Sequence, residues 1–138
     1  MNKEPHQLKS LAEQYPEFVK NPHSWAAMVE RYRDDVENYG GSPQMLRLVE
    51  YLAAQEYASY FSPGTSHLQL CIATEAYPQN LPDSLAVWYD DSLHLYHLNY
   101  HEEGSMRPEK REAGESEVRG VVELKLLRIW LSSGGAAA

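Results

Sequence analysis

Between Arg47 and Arg107 the chain has no lysine and no arginine. The same stretch holds Glu50, Glu56, Glu75, Asp83, Asp90, Asp91, Glu102 and Glu103, and the whole chain carries a net charge of −8. Gripping nucleic acid requires a basic footprint that neutralises phosphates. That class of function is therefore set aside, and no nucleic-acid partner is expected. A long stretch with one sign of charge steers oppositely charged partners instead.

Cysteine is nearly absent. Cys71 is the only one in the chain, so no internal disulfide can form. That fits a reducing compartment. No apolar run approaches the roughly 20 residues that span a bilayer. The opening residues, MNKEPHQLKS, lack the apolar centre of a signal peptide. A cytoplasmic protein with no membrane partner is expected.

Catalytic signatures are missing as well. The chain contains no HExxH, no P-loop, no GxGxxG, no GxSxG elbow and no paired CxxC. No cofactor and no metal are expected. The hydrophobic fraction of 43% in 138 residues is nevertheless enough to build the core of one domain.

What is present reads first as helix. HQLKSLAEQY, His6 to Tyr15, has a helical pattern that Pro16 ends. In the next segment Asn21 is a cap and Pro22 a first helical residue. Trp25, Met28, Val29, Tyr32, Val36 and Tyr39 follow at helical spacing, and Gly40 and Gly41 close the segment. The grammar repeats with Ser42 and Pro43. Met45, Leu48, Val49, Leu52 and Tyr60 then form a second stripe, which SPGTS, Ser62 to Ser66, stops.

After this the period changes to two. HLQLCIAT (67–74), LAVWY (85–89), LHLYHLNYH (93–101) and VRGVVELKLLRIWL (118–131) read as four strands. The expected fold is α+β, with three N-terminal helices on one face of a four-stranded antiparallel meander in two layers. One domain spans residues 1–131. The charged segment 102–117 is expected to be a flexible loop, and 132–138 a disordered tail.

The stretch HLYHLNYH, His94 to His101, holds three histidines and two tyrosines. Taking Asp90 and Asp91 as a two-residue turn pairs Tyr89 with Ser92, Trp88 with Leu93 and Val87 with His94. Leu85, Val87, Tyr89, His94, Tyr96, Leu98 and Tyr100 then share one face, which is placed against the helices. Ala86, Trp88, Leu93, Leu95, His97, Asn99 and His101 share the other. His97 and His101 sit about 13 Å apart along a strand. Two ligands of one zinc must lie much closer, so this pair is not a metal site by itself.

Three functional expectations follow. The first is an interaction module that uses Trp88, Leu93, Leu95, His97, Asn99 and His101, rimmed by Asp90 and Asp91, against a protein with a basic surface. An immunity-type or inhibitor protein is one concrete form. The second is a homodimer through the same face. The third is a ligand-binding or enzymatic cone, its pocket lined by Tyr32, Tyr96 and Tyr100, with His94 as acid or base.

Overall fold

The computed structural model describes residues 24–66, 69–74 and 83–132. The helix expected at His6–Tyr15 and the tail residues 133–138 lie outside the described residues. So does the cap expected at Asn21.

Two helices come first, α1 (Ser24–Tyr39) and α2 (Pro43–Ala53). Their stripes follow the helical period. Trp25 and Tyr32 of α1 are buried, as are Met45, Leu48, Val49 and Leu52 of α2. Tyr39, expected in the first stripe, is 76% exposed instead. Ser42 caps α2, its hydroxyl accepting from the Met45 N–H at 3.1 Å. A 3₁₀ turn, Glu56–Tyr60, follows. The Trp25 indole N–H ties α1 to it, donating to the carbonyls of Ala58 at 2.7 Å and Phe61 at 3.1 Å.

Five strands form one antiparallel sheet in chain order: β1 (Ser62–Ser66), β2 (Gln69–Ala73), β3 (Ser84–Asp90), β4 (Leu95–His101) and β5 (Glu109–Ala113). Leu70, Ile72, Leu85, Val87, Tyr96, Leu98, Tyr100 and Ala113 point to the buried face. They share one core with α1, α2 and a third helix, α3 (Val118–Ser132). No described helix is long and apolar enough to cross a membrane.

The class is α+β and the sheet is antiparallel, but three elements differ from the sequence reading. SPGTS does not merely stop a helix; it is β1, an edge strand paired with β2. Five residues of the segment read as a flexible loop form β5, paired with β4 from Tyr96↔Ala113 to Tyr100↔Glu109. The segment read as a last strand is helix α3. Only two described helices therefore precede the sheet, and one follows it.

The helix has a physical cause. Val118, Val121, Val122, Leu126, Ile129 and Trp130 are buried at the three- and four-residue spacing of one helical side. Glu117 supports its start, its carboxylate accepting from the Gly114 N–H at 3.4 Å, the reach-back half of a capping box. Leu124, Leu127 and Leu131 lie on the opposite side and are exposed. Leucine on both sides hides the period.

These two sides give a direct test. Ile129→Ala should cost about 2–5 kcal/mol by urea denaturation, as for a buried aliphatic side chain. Leu124→Ala should change stability by no more than about 0.5 kcal/mol. A strand would put Val122, Leu124 and Leu126 on one face, and Leu124→Ala would then be as costly as Leu126→Ala.

Candidate functional site

Burial alternates along β2, β3 and β4, and every second residue stays half-exposed on the face away from the core. Cross-strand partners line up there in rows. Trp88, His97 and Glu112 form one row across β3, β4 and β5. Cys71, Ala86, Asn99 and Lys110 form the next. Asp90 faces Leu95 at one end, and Ser84 faces His101 at the other.

The Trp88–His97 pair is at the centre. The rings stack with centroids 5.2 Å apart and planes 19° apart. His97 is held from two sides. Its Nε2 lies 3.2 Å from the Asp90 carboxylate, and its Nδ1 lies 4.0 Å from that of Glu112. Stacking and these two contacts restrict the orientation of both rings.

Asp90 also organises the hairpin end. Its Oδ1 accepts from the Ser92 N–H at 2.9 Å, the Ser92 hydroxyl at 2.6 Å and the Leu93 N–H at 3.2 Å. These contacts make the connection a four-residue loop, Asp91 to His94, not the expected Asp90–Asp91 turn. Tyr89 pairs with Tyr96, Trp88 with His97 and Val87 with Leu98. His94 completes the loop at a φ of 54°, a region that His enters more readily than branched residues.

The structure therefore separates the candidate residues. Trp88, Asp90, Leu95, His97, Asn99 and His101 share the open face. Asp91 and Leu93 sit in the loop beside it, Leu93 being 56% exposed. The pocket residues do not converge. His94 is exposed in the loop, whereas Tyr96 and Tyr100 are core residues. The Tyr96 hydroxyl donates to the Gln44 carbonyl at 2.9 Å, and that of Tyr100 donates to the buried Asp83 carboxylate. Tyr32 of α1 is buried in the core. Among the described residues no group of three or more His, Cys, Asp or Glu is arranged to hold a metal. Cys71 is half-buried, and burial pushes its thiol pKa up, against thiolate chemistry.

The charges at the rim are mixed. Lys110 stands beside Asn99 on the open face, and Arg111 borders the same concavity. Glu102 meets Arg128 at 3.0 Å, in a cluster where Arg128 also reaches Glu109 at 2.6 Å and lies over the Tyr100 ring. β5 is the element that sequence reasoning missed here, because EKREA has no alternating apolar signal.

Comparison with protein-family models, with curated proteins and with solved structures found no match.

The hydrogen bonds to Asp90 hold its carboxyl down to about 2, with the Ser92 hydroxyl the largest cause. A depressed folded-state pKa gives stability that is present above the unfolded value of about 4 and is lost as pH falls through the folded value. The Asp90 carboxyl resonance should titrate with a midpoint near 2, and the Ser92 amide shift should follow it. A midpoint near the unperturbed value of about 4 would show that the hairpin contacts are not formed in solution.

Proposed function

We propose that this chain is a small protein-binding module whose contact surface is the open face of the sheet. The reading rests on one observation: a half-exposed tryptophan stacked on a histidine that is itself flanked by two carboxylates. A large aromatic side chain already fixed in place loses little entropy when a partner covers it. Tryptophan is also among the residues most enriched at energetic centres of interfaces. Asn99, His101, Lys110 and Glu112 supply a polar surround, and Leu93 an apolar contact on the hairpin loop.

The net charge of −8 favours a partner with a basic surface. Lys110 and Arg111 repel cations on the β5 side and so set the orientation of that partner. Its basic groups belong toward Asp90, Asp91 and Glu112. An inhibitor that covers a basic enzyme surface, such as that of a nuclease, is one form this chemistry takes.

The test is capture from native extract by the tagged full chain, washed at low and high salt, beside two variants. A stoichiometric partner should weaken with salt, survive Leu124→Gln and be lost in Trp88→Ala, with circular dichroism unchanged. For a purified partner, Trp88→Ala should cost more than about 2 kcal/mol of binding. A partner kept by Trp88→Ala and lost in Leu124→Gln would move the contact to α3. Recovery of nothing but further copies of this chain would make the face a homodimer contact.

A further inference from the structure

A cavity of about 310 Å³ opens at the end of the sheet where α1 passes into α2. Three aromatic residues line it, Tyr32, Trp88 and Tyr89, together with two acidic ones, Asp35 and Asp91. No lysine or arginine is among its lining residues. The size is at the small end of the range for ligand sites.

The backbone is shaped to leave this space. Gly40 takes a φ of +67° and turns the chain out of α1. Gly41 then closes onto the helix, its N–H donating to the Asp35 carbonyl at 2.8 Å. A Cβ at Gly41 would stand 2.8 Å from the Asp35 Cβ, so only glycine permits this approach. Asp35 is held at the cavity wall by that contact. Neither carboxylate makes a hydrogen bond or ion pair with any described residue.

We propose that this cavity is a binding site for a small organic cation, of the alkylammonium or quaternary ammonium class. Aromatic faces attract a cation through their quadrupoles, and the attraction grows when water is excluded. The carboxylates supply the opposing charge. One feature acts against this: the N-terminus of α2 begins at the cavity, at Ser42. Its dipole amounts to roughly half a positive charge, partly spent on the Ser42 cap, against two full negative charges. The sum favours a cation. The site is tested on the chain without a partner, so its outcome is separate from that of the open face, although Trp88 borders both.

The probe is choline, titrated into the ¹⁵N-labelled full chain at constant ionic strength. Its neutral isostere, 3,3-dimethyl-1-butanol, is the control. Choline should shift the Gly40, Gly41 and Trp88 indole N–H resonances to saturation, and bind on the order of tenfold more tightly than the alcohol. Asp35→Asn and Asp91→Asn should each weaken choline severalfold and leave the alcohol unchanged. The titration uses the purified chain alone, so a lost protein partner would not mimic the effect. Equal binding of choline and the alcohol would overturn the proposal, reducing the site to an apolar hollow. Absence of saturable shifts at those three resonances would overturn it too.

Discussion

The side-chain alternation along β3 and β4 is the constraint on which the rest of the structure depends. A strand presents successive residues to opposite faces, so a central hairpin has two surfaces that cannot be exchanged. One carries Leu85, Val87, Tyr96, Leu98 and Tyr100, all buried. The helices assemble against it. Burial of that face fixes which residues remain on the other, and so places Trp88 opposite His97. The stack at the candidate site is a consequence of the core.

This is also why part of the site was legible before the turn was understood. The two-residue turn read from Asp90–Asp91 is wrong, because Asp90 spends its carboxylate on Ser92 and Leu93 and lengthens the loop. Tyr89 pairs with Tyr96 where Ser92 was expected. The displacement is even, so every residue of the two strands keeps its face. Only Leu93 and His94 change role, leaving the strand for the loop. An odd displacement would have put His97 into the core.

The elements that were not legible share a different cause. β1 contains Pro63 and Gly64, and β5 reads EKREA; neither shows an apolar alternation. Both are edge strands. An edge strand has one pairing neighbour and little area to bury, so its composition is free to look like a turn or a charged loop. α3 was hidden by the reverse problem. Leu124, Leu127 and Leu131 fill the solvent side that should have been polar, and the contrast that marks an amphipathic helix is lost. The cavity between Tyr32 and Trp88 had no local signature beyond Gly40 and Gly41. It joins a helix to a strand that are far apart in sequence, and it takes Trp88 from one sheet face and Tyr89 from the other.

The same edge strands bear on how a partner can approach. An open sheet offers two routes, addition of a strand at an edge or contact with a face. At one edge Pro63 has no N–H to donate, and β1 is five residues long. At the other, Glu109, Lys110, Arg111 and Glu112 crowd β5 with charges, and Glu109 is held by Arg128 and Lys125 of α3. Charged residues and proline at sheet edges oppose further strand pairing. Both edges are unfavourable for strand addition, which agrees with the proposed contact through the open face. Its aromatic centre is already ordered there by His97, Asp90 and Glu112. The features that made β1 and β5 hard to read as strands are thus the ones that oppose strand addition at either edge, as the proposed contact through Trp88 requires.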